Sequence, residues 1–281
     1  MDLETAINEF LDDLKSSGRS VWTVRNYRTG LKKLVQWCGE TSVDWRELTP
    51  RHVRQFRKWL ASKYDGPATP NLSLSAASSF YAFAVDEGWV TYNPFVCRHL
   101  LLPQPETLPR FLQDDEVKRV LNYVRENLPS VYLPYRTMLY TGARAGEVAR
   151  LKASDVIRRG DRVILRLFGK GGRERYVPVT DAETAAVLLE LAETVRREQG
   201  RDVRLFKVSY HTIVNYATKV EQATGVDFTS HMLRHTFATR LRASGEQLDV
   251  IQKVLGHKNI ATTVRYAATP ASWERLAARV V

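Results

Sequence analysis

The sequence predicts a mainly α-helical protein of two domains, a helical bundle followed by a mixed α/β domain with a small antiparallel β-hairpin or sheet. Three observations predict this fold class. Apolar residues recur at helical spacing through the first hundred residues, prolines cluster at positions 103, 105 and 109, and a glycine-rich turn within 162–179 separates two short apolar runs. A chain of 281 residues is also long enough for two separate cores.

Four helices are expected in the first domain, residues 1–102. Apolar side chains at steps of three and four mark the first two helices, for example Leu3 and Ile7, then Leu31 and Leu34. The third begins at Thr49-Pro50, a capping residue followed by the proline favoured at the first helical position. The fourth covers about 70–86. Four short helices of this kind form a compact bundle.

The third helix carries a basic face formed by Arg51, Arg54 and Lys58. A solvated surface explains this face as well as phosphate contact does when the helix is considered alone. The strongly basic second domain favours DNA contact, because a bundle and a basic domain can hold a duplex between them.

The prolines at 103–110 predict an extended, semi-rigid linker, and the second domain is placed at 111–281. Helices are predicted, in order, at about 113–127, 130–140, 145–152, 181–199, 208–223, 231–243, 246–255 and 260–266. The hairpin lies between the third and fourth of these. A last amphipathic segment, 269–281, packs either on its own domain or on a neighbouring copy of the chain.

Composition limits the class of partner. The formal net charge is +11, and residues 1–103 hold 13 Lys and Arg against 11 Asp and Glu, whereas the remainder holds 29 against 20. The basic excess therefore lies mainly in the second domain and suggests a polyanionic partner. No apolar run is long enough to span a membrane, and Cys38 and Cys97 lack metal-ligand spacing, so a reduced, cytoplasmic compartment is expected.

A tyrosine near the carboxyl end is the candidate nucleophile. In "LGHKNIATTVRYA", His257 precedes Tyr266 by nine residues, in a polar run outside any obvious core stripe. A free phenol has a pKa of about 10, so it needs a base or nearby cations to react at neutral pH.

One source of positive charge is "TGARAGEVARL", where one helix ends and another begins. Arg144 lies at this helix start, where free amides can also face an anion. Glu147, three residues later on the same face, can orient it. Alone, Arg144 would be interpreted as an ordinary surface arginine.

The stretch "FTSHMLRHTFATRL" supplies a base and a second cation. His231, Arg234 and His235 share one face near the start of a predicted helix. Histidines at i and i+4 can bind zinc, but Met232 stands where a zincin has its catalytic glutamate, so a metal site is disfavoured. His235 is expected to support the site by packing or hydrogen bonding.

The hairpin "FGKGGRER" places Lys170 at its tip, with Arg173 and Arg175 beside it as candidate DNA contacts. Its glycines do not form the GxxxxGK[ST] pattern of a nucleotide-binding loop. Each of these residues, considered alone, is explained equally well by an ordinary surface or structural role. The combination of arginines, histidines, a lysine and a tyrosine, without paired carboxylates for magnesium, favours metal-free phosphoryl transfer.

Four stretches of the second domain together resemble the signature segments of the tyrosine recombinases, closest to Xer-type and phage-integrase-like members. They are, in order, "TGARAGEVARL", "GKGGRERYVPV", "HMLRHTFATRL" and "LGHKNIATTVRYA". The similarity covers about 110–270, and the first domain resembles more loosely the SAM-like core-binding domain of that family. Position 173 is arginine where relatives often have lysine.

The resemblance implies a catalytic set of Arg144, Lys170, His231, Arg234, His257 and Tyr266. The two arginines and the last histidine would hold the non-bridging oxygens of a DNA phosphate. The lysine would protonate the departing 5′-hydroxyl, and His231 would assist proton transfer from the phenol. Tyr266 would form a 3′-phosphotyrosine that a 5′-hydroxyl of another strand resolves, with no metal, ATP or other cofactor.

The resemblance also implies double-stranded DNA as partner and a cyclic homotetramer on DNA, with the tail 269–281 exchanged between neighbours. The biological role stays open between chromosome-dimer resolution and mobile-element integration. The lack of a recognisable arm-binding domain before the bundle favours the Xer-like role. The competing hypotheses are a topoisomerase IB-like relaxing enzyme, a non-catalytic DNA-binding regulator and, more distantly, a metal hydrolase built on His231 and His235.

Overall fold

The chain divides into two compact units, residues 1–106 and 107–281. In the computed structural model, residues 1–97, 99–104, 109–169 and 172–256 are described. The described part is mainly helical with one small antiparallel sheet, which confirms the predicted fold class. None of its helices is both long enough and apolar enough to cross a membrane.

Unit 1 contains the four predicted helices: α1 (Leu3–Ser16), α2 (Val21–Thr41), α3 (Pro50–Lys63) and α4 (Ala68–Asp86). Side-chain caps define where the middle two begin, because Ser20 accepts from the Thr23 amide and Thr49 accepts from the His52 amide. Helices α2 and α4 lie very close together at Gly30, where an added Cβ would be 3.0 Å from the Ala76 Cβ. Glycine at this position allows the two backbones to approach.

Aromatic residues fill the core of unit 1. Phe10, Trp45, Phe56 and Phe80 are all buried, and the Tyr81 hydroxyl donates to the Trp45 carbonyl oxygen over 2.5 Å. Helix α3 contributes Val53, Phe56 and Leu60 to this core. Its basic residues, Arg51, Arg54 and Lys58, are exposed on the other side of the helix.

Unit 2 contains, in chain order, α5 (Asp114–Asn127), α6 (Pro129–Thr141), α7 (Ala145–Val148), β1 (Val156–Arg159), β2 (Arg162–Phe168), β3 (Glu174–Pro178), α8 (Ala182–Glu198), α9 (Tyr210–Thr224), α10 (Ser230–Ala243) and α11 (Leu248–Leu255). The strands form an antiparallel sheet in the order β1-β2-β3, with Val156 opposite Leu165 and Leu167 opposite Arg175. Buried residues of α6 lie in the same core as those of α5, α9 and α10, and the Tyr135 hydroxyl donates to the Ile213 carbonyl over 2.7 Å.

Two elements differ from the sequence prediction. The helix expected at 145–152 is a single turn, because the Leu151 carbonyl leaves the helical pattern and accepts from the Leu205 amide at 2.7 Å. The next residues turn into β1, a third strand beyond the predicted hairpin. The short helix expected at 260–266 and the tail at 269–281 lie outside the described residues.

Candidate active site

Arg234 is fixed by main-chain oxygens from two other segments. Its side chain leaves α10 and is buried, with Nη1 2.6 Å from the Gly142 carbonyl oxygen and Nη2 2.7 Å from the Leu255 carbonyl oxygen. Carbonyls at the end of a helix have no partner within that helix, and the helix dipole makes them favourable sites for a cation. The ends of α6 and α11 therefore set the orientation of this guanidinium.

Gly142 permits the close packing around that contact. It ends α6 with φ +66°, the left-handed conformation that glycine adopts most easily. An added Cβ would be 2.5 Å from Cδ1 of Phe237 and 2.8 Å from Cδ2 of Leu255. Glycine is thus required both by the backbone and by the space between α10 and α11.

Arg144 is the more accessible of the two arginines. It is the N-cap of α7, and its side chain is 38% exposed, so an anion can reach it. Nη1 lies 3.1 Å from Oε1 of Glu147, and Nη2 lies 3.4 Å from the Gly256 carbonyl oxygen. The backbone amide of Arg144 also donates to Oε2 of Glu147 over 2.7 Å.

Glu147 is a buried carboxylate shared by two arginines. It is 2% exposed and, besides Arg144, it accepts from Arg175, whose Nη1 and Nη2 lie 2.7 and 2.8 Å from Oε1 and Oε2. Burial raises the pKa of this carboxyl, but hydrogen bonds and positive charge from Arg175, and then from Arg144, outweigh that effect and lower the pKa below its ordinary value. Glu147 therefore stays ionised and holds both guanidinium groups.

His231 lies at the start of α10, where the positive charges of Arg144 and Arg234 both act on its pKa. Although the residue keeps an exposed face, desolvation of its ring by the surrounding protein, then the positive charges of Arg234 and Arg144, lowers its pKa below 6.5. Its ring centroid lies 4.5 Å from that of His235 in an edge-to-face arrangement. A neutral imidazole among fixed cations can accept a proton at neutral pH, as a base acting on a phenol must.

The remaining predicted residues are distributed as follows. Lys170, His257 and Tyr266 lie outside the described residues, but Gly169 and Gly256, which directly precede the first two, are described. Arg173 is exposed in the turn between β2 and β3, and the three basic residues of α3 belong to unit 1. No group of three His, Cys, Asp or Glu side chains in the described ranges can hold a metal ion.

Arg175 was predicted to contact DNA, but the structure gives it partners within the protein. Its Nε lies 2.9 Å from the Val254 carbonyl oxygen, in addition to the two contacts with Glu147. The sequence carried a signal for this placement. Alternate residues of a strand face the same side, and Arg175 shares its parity with Val177, which is buried.

Comparisons with known proteins agree on one family. The model of the phage integrase family matches residues 110–272, and that of the phage integrase N-terminal SAM-like domain matches residues 7–88. Tyrosine recombinase XerC of Shewanella amazonensis is 32% identical over 261 residues, which cover 89% of this chain and 86% of the relative.

Two solved structures show the same fold. The XerH site-specific recombinase bound to a palindromic difH substrate, in a post-cleavage complex, superposes with a TM-score of 0.74 at 18% identity over 94% of this chain and 81% of the other. A lambda integrase tetramer bound to a Holliday junction gives a TM-score of 0.69 at 20% identity over 92% and 78% of the two chains. With a family model that matches more than half of its length, the chain belongs to the phage integrase family, the tyrosine recombinases.

Proposed function

We propose that the chain is a site-specific recombinase that cleaves and rejoins DNA through a 3′-phosphotyrosine at Tyr266. Tyrosine recombinases are DNA breaking-rejoining enzymes, and this supplies the reaction class. The observation that carries the proposal is that Arg144 and Arg234 both donate to carbonyl oxygens at the end of α11, those of Gly256 and Leu255, ten and eleven residues before the candidate nucleophile, while the charges of both arginines act on His231.

The chemistry follows from these groups. The Tyr266 oxygen attacks the scissile phosphorus, the bond from phosphorus to the 5′ oxygen breaks, and the phenol proton passes to His231. Lys170 gives a proton to the departing 5′ oxygen. Arg144, Arg234 and His257 stabilise the charge on the non-bridging oxygens, a role otherwise performed by metal ions in many phosphoryl transfers.

The second step reverses the first on a different strand. A free 5′-hydroxyl attacks the phosphotyrosine, a new phosphodiester forms, and the tyrosine is released. The ester keeps the energy of the broken bond, so neither ATP nor a metal is needed. If the attacking hydroxyl belongs to another duplex, the result is strand exchange.

The proposed partner is double-stranded DNA carrying a specific recombination site. Support comes from the net charge of +11 and from exposed basic residues, Arg51, Arg54 and Lys58 on α3 and Arg173 in the hairpin turn. We also propose a cyclic homotetramer on DNA, with exchange of the tail 269–281 between neighbours. The support is a lambda integrase of this fold that forms a tetramer on a Holliday junction. An Xer-like role is favoured by the similarity to a XerC protein.

The decisive experiment traps the covalent intermediate and identifies its site. Purified wild-type protein and the Tyr266→Phe variant are incubated with sheared genomic DNA of the source cells and denatured, and the adducts are recovered and sequenced. Mass spectrometry after nuclease digestion should find a nucleotide on Tyr266. The released ends should accept phosphate from polynucleotide kinase without prior phosphatase treatment, because they carry a 5′-hydroxyl.

Each alternative gives a different result. A relaxing enzyme would form the adduct without joining strands of two different duplexes. A DNA-binding regulator would give no adduct, and Tyr266→Phe would leave its behaviour unchanged. Adducts of equal yield from the Tyr266→Phe variant would overturn the assignment of the nucleophile.

A further inference from the structure

Arg175 uses its guanidinium inside the protein. Its side chain is 11% exposed, and each of its three nitrogens donates within 2.9 Å, Nη1 and Nη2 to Glu147 and Nε to the Val254 carbonyl oxygen. The charge of Arg175 is already balanced by the buried carboxylate of Glu147, so a DNA phosphate gains less from approaching it than from approaching a guanidinium held by neutral carbonyls.

Arg175 also connects the turn α7, which carries Arg144, to the end of α11. Glu147 joins it to Arg144, and Val254 joins it to the last turn of α11. Added Cβ atoms at Gly256 and Gly169 would lie 3.1 Å from Cδ and 4.0 Å from Nη1 of Arg175. These glycines directly precede His257 and Lys170 in the sequence.

We propose that Arg175 is a positioning residue for the cleavage reaction, which sets Arg144 through Glu147 and holds the end of α11 through the Val254 carbonyl oxygen. It does not contact DNA. This inference rests on the proposed function for its effect on cleavage, whereas the absence of a DNA contact can be tested separately.

Arg175→Lys separates positioning from phosphate contact. Lysine keeps the charge but is a single ammonium, so it cannot bridge both carboxylate oxygens and also reach the Val254 carbonyl. A phosphate contact would largely survive this change. A positioning role would not, because a displacement of about 1 Å in a catalytic site can slow the reaction by about 100-fold.

Arg166→Lys is the matched control. Arg166 lies on the neighbouring strand β2 and places Nε and Nη2 each 2.9 Å from Oδ1 of Asp155, a carboxylate that is 3% exposed. Arg166 is thus another sheet arginine with a buried carboxylate partner. Its partner is Asp155 and not Glu147, so the control leaves the contacts among Arg144, Glu147 and Arg175 intact. The same substitution at both positions removes the same kind of contact.

The experiment measures single-turnover adduct formation by the full-length protein, with the DNA site recovered by adduct sequencing. We expect Arg175→Lys to slow adduct formation by about 100-fold and Arg166→Lys to stay within about 2-fold of wild type. Circular dichroism checks that both variants are folded. Equal rates for Arg175→Lys and wild type would overturn the proposal, as would equal slowing by both variants.

A second measurement needs no cleavage activity. Affinity for a 30-base-pair duplex of random sequence is measured against salt concentration for wild type, Arg175→Gln and Arg173→Gln. A lost phosphate contact lowers the salt slope by about 1. We expect Arg175→Gln to keep the wild-type slope. A reduced salt slope for Arg175→Gln would overturn the proposal that Arg175 does not contact DNA, whether or not the protein forms an adduct. A missing adduct with wild-type protein would count against the proposed function alone.

A double variant tests the route through Glu147. If Arg175 acts on Arg144 by way of this carboxylate, Glu147→Gln combined with Arg175→Lys should slow adduct formation little more than the more damaging single change does. Fully multiplicative effects would show that the two residues act independently and would overturn this route.

Discussion

The guanidinium of Arg175 and the carboxylate of Glu147 form a two-point ion pair between strand β3 and the single turn α7, with nitrogen–oxygen distances of 2.7 and 2.8 Å. The pair joins the sheet to the segment that carries Arg144. It therefore affects both the stability of unit 2 and the geometry of the candidate active site.

Glu147→Ala should destabilise unit 2 by about 3–5 kcal/mol, because the buried guanidinium of Arg175 would lose its carboxylate partner. Urea unfolding followed by circular dichroism measures the loss. Five of the six tryptophans belong to unit 1, at positions 22, 37, 45, 59 and 89, so their fluorescence should report an unchanged transition for that unit. A shift of the fluorescence transition as large as that of the dichroism would contradict an effect confined to unit 2.

The same pair predicts sensitivity to acid. The pKa of Glu147 is lowered on folding, so the unfolded chain takes up this proton first as the pH falls. The stabilisation is complete above the ordinary value of 4.5 and is lost as the pH falls through the lowered pKa. Glu147→Gln should flatten this part of the curve of unfolding free energy against pH, and an unchanged slope would be evidence against the assignment.

The rate of adduct formation should depend on neutral His231. Because its pKa is lowered below 6.5, the rate should fall toward acid pH with a midpoint below 6.5. The His231→Gln variant should form the adduct more slowly at neutral pH, and its rate should not show this decrease at acid pH. The same shift affects stability. Because the pKa of His231 is lower in the folded protein, the unfolded chain binds this proton first below pH 6.5, and the free energy of unfolding decreases as the pH falls. A decrease in rate centred above pH 6.5 would contradict the placement of His231 among cations.

Gly142→Ala should be more damaging than Gly225→Ala, although both glycines end helices with φ +66°. Strain alone costs about 1–2 kcal/mol in each variant. At Gly142 the new methyl group would also be 2.5 Å from Phe237, whereas at Gly225 nothing lies within 4 Å. Overpacking adds about 1–3 kcal/mol. Chemical denaturation of the two variants measures the difference, and equal losses would show that Phe237 and Leu255 move aside freely.

Removal of metal ions should leave adduct formation unchanged. The proposed chemistry assigns charge stabilisation to Arg144 and Arg234 and proton transfer to side chains, so dialysis against EDTA should not alter the rate. Added Mg²⁺ should not raise the rate and should act only by competing for the DNA phosphates, as NaCl does at higher concentration. A rate that falls with EDTA and recovers with Zn²⁺ would instead favour the hydrolase hypothesis built on His231 and His235.

Sequence patterns predicted helix positions well where local chemistry defines an end. Thr49 caps α3 and Gly142 ends α6, so these boundaries could be located from single residues, whereas Ser20, which caps α2, was not used in the prediction. Strand β1 was missed because "VIRR" is short and offers little alternation, and α7 was overestimated because its pattern continues beyond the point where Leu151 pairs elsewhere. Tertiary pairing decided both cases.

The side chains of the candidate site were predictable, including Glu147 as the partner of Arg144, whereas the main-chain partners were not. Ordered stretches around Arg144 and Arg234 indicated both arginines. Their partners at Gly142, Leu255 and Gly256 are main-chain oxygens, which every residue type possesses, so no sequence pattern distinguishes them. Arg175 lay within reach of prediction through strand parity, but its basic surroundings suggested DNA contact.

Main-chain support of Arg234 has a consequence for how such a protein diversifies. The carbonyl oxygens of Gly142 and Leu255 stay in place through substitutions elsewhere, as long as the backbone path is kept. Under the proposed function, residues that contact the DNA site can therefore change while these two contacts of Arg234 are retained. The choice of DNA target can then change in evolution without altering the backbone contacts that orient Arg234.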